Sequence, residues 1–157
     1  MHKGAICHSR AEIIQQVEEK EKTVGDYASY IPISDSVRKL NSWAKEGAEI
    51  IYLTSRKKEG EIQMIQKVLT KHSFPKGLLL FRHPGEEYKD IAEKNVPDVL
   101  VEDDCESVGG PDEMTVTHIK ASIKCRIKSI TVKEFGGIDH LPDKVSSLLS
   151  RPYFRML

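Results

Sequence analysis

Apolar residues along this chain fall into four short runs, separated by stretches with a helical spacing. The runs are Glu49 to Leu53, Gly77 to Phe81, a segment over 98–102 centred on Val99, Leu100 and Val101, and a segment over 129–134 ended by Gly136 and Gly137. Runs this short, bounded by turn residues, read as strands. Between them the spacing predicts helices. Ser9 and Glu12 form a capping-box pattern ahead of Ile13, Ile14 and Val17, so a helix is expected over 9–22, its charged second half, Glu18 to Lys22, in solvent. Ser34 is the expected N-cap of a second helix, with Val37, Leu40, Trp43 and Ala44 on one face and Gly47 as its stop. A third helix is expected over 58–72 on Ile62, Ile65, Val68 and Leu69, with Lys71 at the negative end of its dipole. A short fourth is expected over 86–94 on Tyr88, Ile91 and Ala92.

Three stretches resist this pattern. Residues 1–8 make no convincing strand, and 23–33, with Gly25, Pro32 and two tyrosines, reads as irregular. In 111–128, Ile119, Ile123 and Ile127 are four apart, yet Ile119 to Ile127 also alternates apolar with polar residues. The reading taken is irregular or helical turns leading into the last strand. A final helix is expected from about Pro142 on Val145, Leu148 and Leu149, and Tyr153 and Phe154 in the tail are expected to fold back on the domain.

Strands alternating with helices imply an α/β fold of the Rossmann-like kind: a mostly parallel sheet between two helical layers. The length of 157 residues suits one domain, divided into an N-terminal helix and small cap-like insertion over 1–33 and a core over 34–157. Right-handed crossovers would bring every strand's carboxyl end to one edge, where open parallel sheets bind ligands. Thr54, Ser55 and Arg56 leave one strand there, and Asp103 and Asp104 leave another. Paired carboxylates suit Mg²⁺, which takes oxygen ligands, and hydroxyl and lysine groups suit phosphate. Lys89 lies on the helix entering the acidic strand. The structural alternatives are an acidic loop capping the next element, a helix-capping Thr54 and a solvated Lys89.

Charge and cysteine content narrow the partners. Lys plus Arg equals Asp plus Glu at 24 each, which makes no case for nucleic acid or an anionic membrane. The basic stretch of Lys120, Lys124, Arg126, Lys128 and Lys133 has few interleaved aromatics and reads as a solvated face. No apolar run approaches a membrane span, and the start has no signal-peptide core. Cys7, Cys105 and Cys125 lack metal spacing and read as reduced thiols in a cytoplasmic protein. The histidines show no metal spacing. Cys105 reads as a small buried residue and Asp139-His140 as a loop-to-helix junction, with Asp143 in the first turn of the helix.

The segments Ile50-Ile51-Tyr52-Leu53-Thr54-Ser55-Arg56, Tyr88-Lys89-Asp90-Ile91 and Val99-Leu100-Val101-Glu102-Asp103-Asp104 resemble, in order and spacing, the second, third and fourth motifs of the haloacid dehalogenase-like (HAD) phosphohydrolases. The resemblance runs over about 34–140. It implies a Mg²⁺-dependent phosphatase with a small cap or none, acting on a phosphorylated small molecule or a phosphorylated end. Thr54 would bind the phosphoryl group, Lys89 would neutralise it, and Asp103 and Asp104 would hold Mg²⁺, with Glu106 and Ser107 in support. The family's first motif, an apolar strand ending in Asp-x-Asp-Gly-Thr, has no match; Asp26, Asp35 and Asp139 do not follow apolar runs. Its first aspartate is the nucleophile, so the chain as given is expected to be inactive. Met1 is expected to be an internal methionine just beyond that motif. The absent strand is central in the family, and its loss would leave a gap of about 9–10 Å between the flanking strands. The expectation is that the gap closes: by direct pairing, by residues 1–7, or by a second copy in a homodimer. The alternative function is a non-catalytic phosphate- or metal-binding protein of the same fold.

Overall fold

The computed structural model describes residues 1–149; the expected packing of Tyr153 and Phe154 lies outside them. A 3-10 turn at Lys3–Ala5 leads to α1, Arg10–Glu18. Two more 3-10 turns, Lys22–Gly25 and Tyr27–Ser29, precede α2, Ser36–Lys45. There follow β1, Ile50–Thr54; α3, Glu59–Lys71; β2, Gly77–Phe81; α4, Tyr88–Asn95; and β3, Val99–Asp103. Short helical turns, α5 at Thr115–His118 and α6 at Ala121–Lys124, lead into β4, Lys128–Val132, and α7, Val145–Leu149, ends the described chain.

The fold is mixed α/β with parallel strand pairing, but the strands do not form one sheet. β1 pairs with β2 and β3 pairs with β4, each in parallel, as two separate two-stranded sheets among the described residues. Two of the expected ways of closing the gap are therefore corrected: β1 and β3 do not pair with each other, and residues 1–7 supply no strand. The physical reason lies in that segment. His2 is buried with its Nδ1 3.1 Å from the Thr23 hydroxyl, and Met1 exchanges two backbone bonds with Ile31, at 2.7 and 2.9 Å. A Cβ on Gly4 would lie 2.5 Å from the Thr23 hydroxyl, so the turn is pressed against the irregular segment rather than free to extend.

One helix serves both sheets. Trp43 on α2 joins Leu141 and Leu148 in a buried cluster. Ile50 from the first sheet and Val99, Val101, Ile130 and Val132 from the second pack on it. On the other face of β3, Leu100 meets Ala92 of α4 with Ile119 and Ile127. The fourfold isoleucine spacing is thus helical turns, as read from the sequence. The corresponding face of the first sheet is open: Ile51 and its register partner Leu78 are 37% and 58% exposed.

Several ends differ from expectation for local reasons. The capping box forms, with Glu12 accepting from the Ser9 N–H and O–H at 2.6 and 2.7 Å, but α1 stops at Glu18 because Lys20 turns left-handed at φ 55°. Ser34 is also left-handed, at φ 45°, and does not cap α2; the Asp35 N–H at that start is held by Asp139 at 3.1 Å. Asp143 does not open the last helix, which begins at Val145. It pairs instead with Lys39 at 2.8 Å.

Gly77 opens β2 opposite Ile50, where a Cβ would sit 2.0 Å from the Ile50 carbonyl oxygen. Backbone must move to admit it. Gly77→Ala is expected to destabilise the chain by about 1–3 kcal/mol, read as a lowered denaturation midpoint.

Candidate functional site

The candidate chemistry gathers at the carboxyl ends of the two sheets, and the first ten residues run between them. Met1 sits beside Thr54, Ser55 and Arg56 at the end of β1. Arg10 reaches the other end: its Nε donates to the Glu134 carbonyl at 2.8 Å, and its guanidinium lies 3.6 Å from Asp104 and pairs with Glu106.

At that second end, ligand oxygens of Asp103, Asp104 and Glu134 lie within 4.8 Å of one another. The parallel register makes this cluster. Asp103 pairs with Val132, the Asp104 N–H continues the ladder to the Val132 carbonyl at 3.0 Å, and Glu134 follows two residues later. Asp104 accepts from the Glu134 N–H at 3.0 Å and from Lys133 Nζ at 2.9 Å, and these contacts, with Arg10, hold its carboxyl below the usual range. Glu134 accepts from the N–H and O–H of Ser107, both at 2.7 Å. Asp103 is exposed and accepts the Cys105 N–H at 2.9 Å. Glu102, the first acidic residue of the trio, is turned elsewhere: it accepts the Thr115 and Val116 N–H groups at 2.7 and 2.9 Å.

An all-oxygen donor set of three carboxylates has the chemistry Mg²⁺ prefers. Each carboxylate offers about four acceptor positions, more than these bonds use. The residues present therefore fit a divalent cation, although Lys133 and Arg10 already supply positive charge there. Glu134 was not singled out in the sequence; it stands at the end of the strand expected over 129–134, and only the pairing of β3 with β4 brings it to the acidic pair. Ser107 is tied to this cluster through Glu134, and Glu106 through Arg10.

The other predicted residues have local partners. Lys89 is half-exposed and pairs with Glu87 at 2.6 Å. Thr54 is half-buried, and its hydroxyl accepts the Arg56 N–H at 3.3 Å. No hydrogen bond or ion pair joins Thr54, Lys89 and the acidic cluster to one another among the described residues. Cys105 is half-buried at φ 52°, and burial together with Asp103 pushes its thiol up to about 12, which removes it as a nucleophile near neutral pH. Cys7 and Cys125 are free and exposed. In the basic stretch, Lys120 pairs with Glu93 and Lys133 with Asp104.

Thr54, Ser55 and Arg56 border a cavity of about 340 Å³ between α3 and the Tyr27–Pro32 segment. It is lined otherwise by apolar and aromatic side chains, including Leu69 and Phe74. No described helix is long and apolar enough to cross a membrane. No protein-family model, curated protein or solved structure matches the chain.

Proposed function

We propose that this chain carries the phosphate-binding and cation-binding parts of a HAD-type, Mg²⁺-dependent phosphohydrolase, and that the nucleophilic aspartate stands on a strand these 157 residues do not contain. The observation that supports this most is the split sheet. Two parallel pairs lean on one helix and, among the described residues, leave β1 and β3 without a strand on their other sides. Met1 lines a cavity with Thr54 and Arg10 lies 3.6 Å from Asp104, so residues 1–10 run from the end of β1 to the end of β3. In this reading Thr54 and Ser55 donate to phosphate oxygens and Arg56 and Lys89 balance their charge. Asp103, Asp104 and Glu134 would hold Mg²⁺, which supplies charge stabilisation to a phosphoryl oxygen. The substrate would be a phosphorylated small molecule or a phosphorylated end.

The test is hydrolysis of p-nitrophenyl phosphate in Mg²⁺ by this chain and by one begun at the preceding in-frame start codon. Activity is expected in the longer chain alone, and Thr54→Val and Asp104→Asn there are each expected to lower it by about 100-fold or more. Turnover by residues 1–157 themselves, or its absence from a longer chain that does carry an Asp-x-Asp motif, would overturn the proposal.

The state of the acidic cluster favours a second reading, a phosphate- or metal-binding protein without catalysis. Lys133 and Arg10 already neutralise Asp104, and Ser107 occupies both oxygens of Glu134. An upstream frame closed by a stop codon would select it. In either reading Mg²⁺ must compete with Lys133, so calorimetry on residues 1–157 is expected to show no micromolar affinity. Lys133→Met is expected to tighten binding, because it removes the competing ammonium and leaves the carboxylates.

A further inference from the structure

We propose that the cavity beside Thr54 binds a phosphate monoester of an aromatic alcohol, its ring inside and its phosphate at the mouth; this rests on reading Thr54 as a phosphate ligand. The mouth holds three unspent donors. The Arg56 guanidinium lies 4.9 Å above the Tyr27 ring, and no carboxylate pairs with it among the described residues. The Ser55 hydroxyl is half-buried and has no protein partner among the described residues. The Thr54 hydroxyl accepts the Arg56 N–H, so its own proton remains to be given. A fixed cation with two hydroxyl donors suits a phosphate group, whose three oxygens can each take one.

Behind this mouth the chemistry changes. Val68 and Leu69 of α3 and Phe74 present apolar surface, and Tyr27 and Tyr30 stand edge to face with centroids 5.5 Å apart. The Tyr30 hydroxyl donates to the Val24 carbonyl at 2.7 Å, which uses its one proton and holds the ring in place. A volume of about 340 Å³ is at the small end of ligand pockets, enough for one ring and its phosphate. Sugar phosphates would place hydroxyls against Val68, Leu69 and Phe74, which cannot bond them, at a desolvation cost.

The experiment measures binding of phenylphosphonate, which cannot be hydrolysed at its C–P bond, to the 157-residue chain in Mg²⁺-free buffer. Methylphosphonate and benzoate serve as comparisons. Phenylphosphonate is expected to bind at least about tenfold more tightly than either. Arg56→Gln is expected to weaken it by about tenfold or more, with an unchanged melting temperature because Arg56 is exposed. Leu69→Ala is expected to narrow the margin over methylphosphonate. Equal affinity for phenyl- and methylphosphonate, equal affinity for benzoate, or indifference to Arg56→Gln would each overturn the proposal. Because no turnover is needed, the two readings fail separately. Arg56-dependent binding with an inactive longer chain removes the phosphatase, and an active longer chain without phenylphosphonate binding removes the aromatic substrate.

Discussion

Trp43→Ala is expected to cost about 3–5 kcal/mol, a large share of the stability of an ordinary chain. The indole is 4% exposed and lies where the two sheets share their cover. A single continuous sheet would distribute such a loss along its ladder of backbone bonds. Here no backbone bond joins β1 to β3, so the side chains under α2 must hold the sheets in place relative to each other. Trp43 also donates its Nε1 proton to the Pro142 carbonyl at 3.0 Å, so truncation leaves that acceptor unpaired. The check is denaturant unfolding followed by far-UV circular dichroism. Trp43→Phe keeps most of the apolar volume and loses the bond, and it is expected to cost clearly less. Near-equal losses for the two variants would mean that the hydrogen bond, not the shared packing, carries the effect.

The elements were legible because their signals are local. Gly77 to Phe81 is a continuous apolar run closed by Pro84 and Gly85, and it is β2 residue for residue. Asp103 and Asp104 could be placed at a strand end on the same ground. Glu134 could not be joined to them, because the register of β3 on β4 brings it there from 30 residues away. The α2 face was read from Val37, Leu40, Trp43 and Ala44, and Lys39 was passed over because it is charged. It stands one turn before Trp43 and is buried with it. The cavity was beyond reach for another reason. It forms where an irregular segment with no periodicity meets a helix with a clear one, and no pattern in either stretch encodes the other's position. The expected loss of a central strand rested on an absent motif alone. What followed from it was not: closing the gap would have given β1 and β3 new backbone partners, whereas residues 1–7 are held by Thr23 and Ile31 instead.

Lys39 is expected to show the second large effect. Its ammonium is buried and donates to the Leu141 carbonyl at 2.6 Å and to Asp143 at 2.8 Å. These bonds belong to a seam between α2 and the segment that precedes α7. Asp139 holds the Asp35 N–H, Trp43 holds Pro142, and Glu46 accepts the Val145 N–H at 2.9 Å. Lys39→Ala removes a buried four-carbon stem and strands the Leu141 carbonyl, for an expected loss of about 2–4 kcal/mol. Lys39→Met keeps the stem, and replacing a buried ion-pair member by an apolar side chain of similar length is often tolerated, so a smaller loss is expected. Asp143 is 64% exposed, and water can take over much of its work when it is removed. Asp143→Ala should therefore destabilise less than Lys39→Ala, and its effect should vanish in the Lys39→Met background, where no buried charge remains to be balanced. An Asp143→Ala loss of the same size in both backgrounds would show that Asp143 acts through Arg38, 3.6 Å away, and not through the buried lysine.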